Sequence, residues 1–113
     1  MKLPNAERAV VPQQKIAGYL LSISHRDGHS KAAFFLRFGF SANVWQGLAE
    51  ASRPHAIDHE INAVEDSPFG TRYVIEGVIL SPDGRNPTIR SVWFIEAGEE
   101  APRFVTAYPL VRG

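Results

Sequence analysis

The 113 residues read as an α+β domain with its helices first and an antiparallel sheet after them. Three observations carry this. Up to about residue 56 the apolar residues recur at helical spacing; after that β-formers dominate; and Gly, Pro and Asp clusters cut the second half into short runs. The connections between those runs are too short for a crossover helix, so the strands must run antiparallel. The expected architecture is two or three N-terminal helices, in about 1–56, packed on one face of a four-stranded meander in about 57–113. Together they make one domain spanning 1–113.

Each element has a local reason. From Pro12 to Leu21 the residues Ile16, Tyr19 and Leu20 fall at i, i+3, i+4, and Pro12 suits a first helical turn. Ser22 to Ser30 is polar and ends on Ser30, read as the N-cap of a second helix, Lys31 to Phe38, which stops at Gly39. Ser41 opens a third helix with Val44, Leu48 and Ala51 as its stripe and Trp45 beside them; Pro54 is expected to end or kink it. The strands are expected at about Glu60 to Glu65, Thr71 to Leu80, Thr88 to Glu96 and Arg103 to Leu110. Strict alternation puts Phe104, Thr106 and Tyr108 on one side of the last strand, unless a bulge shifts the register. Core candidates are Phe34, Phe35, Leu48, Val74, Ile75, Val92 and Trp93.

Composition excludes several classes of chemistry. With no Cys there is no disulfide, thiolate nucleophile, Cys-ligated zinc or iron–sulfur cluster. No apolar run approaches the ~18 residues of a membrane span, and Met1 to Asn5 lacks the apolar stretch of a signal peptide, so a soluble, cytoplasmic chain with no membrane partner is expected. Twelve Lys and Arg balance twelve Asp and Glu, but unevenly: residues 1–56 sum to +4 and residues 57–113 to −4. A neutral total argues against broad nucleic-acid binding and leaves a focused anion site open.

The densest polar cluster, His25-Arg26-Asp27-Gly28-His29-Ser30-Lys31, sits just ahead of a helix. Unpaired N–H groups and the positive dipole end favour a phosphate there; Gly28 allows close backbone approach, Lys31 adds charge, and either histidine can move a proton near neutral pH. A capped surface loop would have the same composition. The spacing of His25 and His29, and of His55 and His59 beside Asp58, also suits a metal. Yet Gly28 lies inside the first pair and Pro54 precedes the second, so no metal and no cofactor is expected. Thr106 and Tyr108 offer hydroxyls from the last strand. Arg72 and Arg90 suit phosphate recognition, although cross-strand pairing with a residue such as Glu76 is the commoner use.

Several ordered motifs carry a resemblance. They are Leu3-Pro4-Asn5-Ala6, the H-x-x-G-x-x-K-A-x-F-F stretch from His25 to Phe35, Gly39-Phe40, Ser67-Pro68-Phe69-Gly70, Pro82-Asp83-Gly84-Arg85 and Val105-Thr106-Ala107-Tyr108-Pro109. Together they resemble a small bacterial family catalogued only as a domain of unknown function, found at the C-termini of secreted polymorphic toxins and as short free-standing proteins. That family in turn resembles the toxin ribonucleases that include barnase, EndoU, the tRNA-cleaving colicins and RelE, which implies a barnase- or RelE-like fold. Proline commonly follows the motif histidine in the family, where this chain has Arg26.

The resemblance implies metal-independent cleavage of RNA phosphodiesters. Its motifs fall on His25, Gly28, Lys31, Thr106 and Tyr108; His29 does not match the family pattern and, like Ser30, Arg72 and Arg90, comes from the reading of the residues themselves. Taken together, the catalytic set would be His25, Lys31, Arg90, Thr106 and Tyr108, with Gly28, His29, Ser30 and Arg72 binding substrate and a small antitoxin or immunity protein as partner. The alternative is a non-catalytic interaction module, a degenerate toxin fold that binds a small neighbour-encoded protein. Nothing in the sequence specifies the oligomeric state.

Overall fold

The structure, a computed structural model, describes residues 2–12, 29–40 and 46–110, and of residues 29–32 the backbone alone. A 3₁₀ turn, Ala6–Arg8, is followed by helices α1 (His29–Arg37) and α2 (Gln46–Asp58) and strands β1 (Ile61–Ser67), β2 (Gly70–Val78), β3 (Thr88–Glu96) and β4 (Arg103–Pro109). The strands form one antiparallel sheet in the order β1-β2-β3-β4, the expected meander. The helical part differs in detail. The helix expected over Pro12 to Leu21 lies outside the described residues, apart from Pro12, as do Ser41, Val44 and Trp45.

The N-terminal segment pairs with the start of the far edge strand. Val10 pairs in parallel with β4, its N–H donating to the Pro102 carbonyl at 2.8 Å and its carbonyl accepting from Phe104 N–H at 2.9 Å. Leu3, Ala6, Ala9 and Val11 are buried beneath it, and Arg53 of α2 donates to the Ala9 carbonyl at 3.1 Å.

In α1, Phe35 is fully buried, while Phe34, a core candidate, is half-buried and packs with Phe38 against the core. Ser30 lies inside the first turn of α1 and not at its cap, because the helix already includes His29. Gly39 ends it as expected: at φ +99°, a left-handed value that costs glycine least, it lets Phe40 N–H reach back to the Phe35 carbonyl. The Pro82–Arg85 loop docks on this end. Arg85 donates to the Arg37 carbonyl at 2.5 Å and lies 4.5 Å over the Phe38 ring, a cation placed where helix carbonyls point.

Pro54 neither ends nor breaks α2, which continues to Asp58. The proline is exposed, on the side where water can satisfy the carbonyl its missing N–H leaves behind. The buried stripe is Leu48, Ala49, Ser52, His55 and Ala56, so a histidine occupies a core position that periodicity would give to a hydrophobe.

The sheet buries one face against these elements. Tyr73 and Ile75 of β2, Ile89, Ser91 and Trp93 of β3, and Phe104 and Ala107 of β4 point inward, with Trp93 edge-on to Phe104 at 5.3 Å. Arg72, Val74 and Glu76 share the opposite face with Arg90 and Val92, as alternation implies. Val74 and Val92 are nevertheless buried, so both sheet faces contribute buried residues. The last strand departs from strict alternation. Trp93 pairs with Phe104 but Val92 pairs with Thr106, so a bulge at Val105 puts Phe104 in the core and Thr106 on the other face.

Candidate functional site

On that second face the register brings polar side chains from three strands together. Glu76 lies directly across from Arg90, and Arg90 directly across from Tyr108. Arg90 donates through Nε to Glu76 Oε2 at 2.7 Å and through Nη2 to the same oxygen, and through Nη1 to the Tyr108 hydroxyl at 3.3 Å. The Tyr108 hydroxyl and the Glu76 carboxylate both favour the charged guanidinium and raise its pKa. These bonds use three of its five N–H donors.

A second bulge places Asn62 against Glu76. The pairing of β1 with β2 shifts between Ile61 and Ala63, and Asn62 turns its amide onto Glu76. Its Oδ1 accepts the Glu76 backbone N–H at 2.9 Å and its Nδ2 donates to Glu76 Oε1 at 3.3 Å. Each carboxylate oxygen of Glu76 is therefore held by a different strand. Arg72 donates to Glu65 at 3.2 Å. A groove of about 470 Å³ runs over this face, lined among others by Asn62, Glu65, Arg72, Glu76, Arg90 and Tyr108. Thr106 shares the face opposite Val92. Two arginines and two glutamates leave the groove close to neutral.

Of the residues singled out from the sequence, Arg72, Arg90, Thr106 and Tyr108 thus share one face. His25 and Gly28 lie outside the described residues. The backbone of His29, Ser30 and Lys31 forms the first turn of α1. Glu76 stood in the sequence only as an ion-pair partner, and Asn62 carried no signal, because its contact exists only through the bulge.

A second polar cluster lies on the core face. The Gly77 carbonyl can only accept, so His55 Nε2, 3.1 Å away, carries the proton. His55 Nδ1 then accepts the Ser91 hydroxyl at 3.0 Å, and Ser91 Oγ accepts Trp93 Nε1–H at 2.9 Å. His59 Nδ1 donates to the His55 carbonyl at 2.8 Å, with the two rings 4.9 Å apart. Burial pushes the His55 imidazole down from 6.5 to about 4; the Gly77 carbonyl opposes this and His59 adds to it. Both ring nitrogens are committed to protein partners, so His55 is a structural histidine. Among the described residues no group of three His, Asp or Glu could hold a metal ion.

The model of one protein family, the domain of unknown function DUF6883, matches residues 2–111. The chain belongs to the DUF6883 family. No curated protein matches it. Among solved structures, this DUF6883 domain is similar to a chain of a contact-dependent growth inhibition toxin–immunity protein complex from Klebsiella pneumoniae 342. The TM-score is 0.62, the identity 16%, and the match covers 89% of this chain and 99% of that one. At that identity the likeness shows a shared fold.

Two motifs of the DUF6883 domain now have structural roles. Ser67-Pro68-Phe69-Gly70 is the β1–β2 turn, where Ser67 Oγ accepts Phe69 N–H and donates to the Gly70 carbonyl. Gly70 has φ +148°, and a Cβ there would overlap the Ile95 carbonyl oxygen. Pro82–Arg85 docks the β2–β3 loop on α1. Thr106 and Tyr108 lie instead on the grooved face. Among the described residues no helix is long and apolar enough to cross a membrane.

Proposed function

We propose that this DUF6883 domain is a toxin-type ribonuclease that cleaves RNA without a metal ion and uses the sheet groove to hold the scissile phosphate. One observation carries the reading: Arg72, Arg90, Thr106 and Tyr108 share a sheet face on which Glu76 is held between two strands, its oxygens fixed by Asn62 and Arg90. The similarity to a chain of a toxin–immunity complex supports a toxin-like domain with an immunity protein as partner.

In this mechanism the RNA 2′-OH attacks the adjacent phosphorus in line. The Glu76 carboxylate takes the 2′-OH proton and His25, with His29 as partner, gives a proton to the departing 5′-oxygen. The new P–O2′ bond and the broken P–O5′ bond leave a 2′,3′-cyclic phosphate and a 5′-hydroxyl. Arg90 and Lys31 stabilise charge on the phosphorane oxygens; Thr106 and Tyr108 orient them, and Arg72 holds a flanking phosphate. Gly28 and Ser30 complete the set of residues that bind the substrate.

A second reading has its own support. Arg90 is already paired with Glu76 and Tyr108, which is how a structural ion pair in a non-catalytic interaction module would look. Total RNA and a tRNA pool, incubated with protein freed of any co-purifying partner, separate the two. Cleavage unaffected by EDTA and reduced roughly 10²-fold or more by Glu76→Gln and by His25→Ala supports the ribonuclease. Wild-type protein that leaves both RNAs intact overturns it in favour of the interaction module.

A further inference from the structure

The two edges of the sheet are treated differently. β4 is paired at its start by the N-terminal segment, Val10 against Arg103, whereas among the described residues β1 pairs with β2 alone. All of β1 after Ile61 is exposed, Val64 at 45%, and Phe69 at the tip of the following turn is 79% exposed. Long exposed edges are usually avoided because they pair with other chains.

The outward groups on this edge can be named. Glu76 N–H points toward β1, where Asn62 accepts it, and β2 pairs with β3 without a bulge. Gly70, Arg72 and Val74 therefore also direct their backbone groups at β1, and their partners are Ser67, Glu65 and Ala63. Val64 and Asp66 are left with amides and carbonyls that face away from the sheet.

Charge specifies what sits there. Between Arg53 and Arg72 the sequence has four carboxylates, Asp58, Glu60, Glu65 and Asp66, and no Lys or Arg. Arg72 offsets Glu65, and the N-terminal ammonium and Lys2 act on Glu60, so Asp66 is the carboxylate of β1 that an incoming cation meets first. A second copy of this chain paired edge to edge would bring two such acidic stretches together, which costs energy. We propose that the outer edge of β1 docks an extended segment of a partner protein in which Lys or Arg alternates with apolar residues. The added strand takes the Val64 and Asp66 backbone bonds, its cations face the carboxylates, and its apolar residues cover Val64 and Phe69. Asn62, Ala63 and Glu65 of β1 also line the groove, so the same strand narrows the groove mouth. That last consequence, inhibition by the partner, rests on the ribonuclease reading; the docking edge does not.

The test reads binding and not cleavage, so it is independent of that activity. Amide NMR spectra of the full chain are followed during titration with a capped heptapeptide of alternating lysine and valine, and with its glutamate–valine counterpart. The expected result is saturable shifts centred on Val64 and Asp66, a Kd below about 1 mM for the lysine peptide, and no binding of the glutamate peptide. Val64→Pro, which removes an outward N–H at an edge position, and Asp66→Lys should each weaken binding at least about tenfold. Phe69→Ala, at an exposed turn position, gives a second probe that leaves the strand intact and should weaken binding severalfold. No shifts, shifts confined to the Arg90–Tyr108 groove, equal binding of both peptides, or a stable homodimer paired through β1 would each overturn the proposal.

Discussion

Acidification from pH 7 to pH 4 probes the His55 cluster. In the folded chain His55 is 2% exposed and its pKa lies at about 4, against 6.5 for a free imidazole. A proton on Nδ1 would displace the Ser91 hydroxyl hydrogen, and Ser91 Oγ already accepts from Trp93. Above pH 6.5 the residue is neutral in both folded and unfolded chains and leaves stability unchanged. As pH falls from 6.5 toward 4 the unfolded chain takes up a proton that the folded chain does not, so stability drops by about 1.4 kcal/mol per pH unit. The loss totals about 3 kcal/mol and levels off below pH 4, where both states are protonated. Urea unfolding of wild type and His55→Gln at several pH values from 7 to 4 isolates this term, because every other titrating group is common to both chains. The variant should be less stable at pH 7 by about 1–3 kcal/mol through lost hydrogen bonds, with the difference between the chains shrinking as pH falls. Parallel curves for the two proteins would refute the assignment of a buried neutral His55.

Other substitutions test neighbouring parts of the structure. Gly77→Ala should destabilise by about 1–3 kcal/mol in thermal or urea unfolding, because a Cβ there would overlap the His59 ring. Gly47→Ala, at a helical site with nothing within 4 Å, should stabilise α2 by up to about 1 kcal/mol. Ser91→Ala leaves Trp93 Nε1–H and His55 Nδ1 without their partner and should cost about 1–3 kcal/mol. In the RNA assay Lys31→Ala should lower cleavage by roughly 10²-fold. Thr106→Val keeps side-chain shape while deleting one hydroxyl; it too should slow cleavage, and a full-rate Thr106→Val protein removes that residue from the site.

The placing of helices before the sheet, the four strands and their antiparallel meander were legible in the chain, because each depends on local signals, whereas the 3₁₀ turn Ala6–Arg8 was not anticipated. Period-two alternation, turn residues such as Pro68 and Gly70, and the shortness of the connections act within a few residues. Strand β3 was legible to the residue, Thr88 to Glu96. The pairing of Arg72 and Arg90 with acidic neighbours could also be anticipated, since cross-strand contacts follow from alternation once the strands are drawn.

The rest needed the tertiary structure. Pro54 stays inside α2 because it lies on the exposed side, a fact that depends on what the helix packs against. That continuation carries His55 into the core, where Ser91 and Gly77 from two different strands satisfy it. A bulge at Val105 separates Phe104 from Thr106, and another near Asn62 fixes Glu76 from the neighbouring strand. Whether a strand bulges depends on its fit to a partner far away in the chain, so no local pattern announces it. Periodicity tells each residue which way to face relative to its neighbours in sequence; only packing across the sheet decides which residues meet.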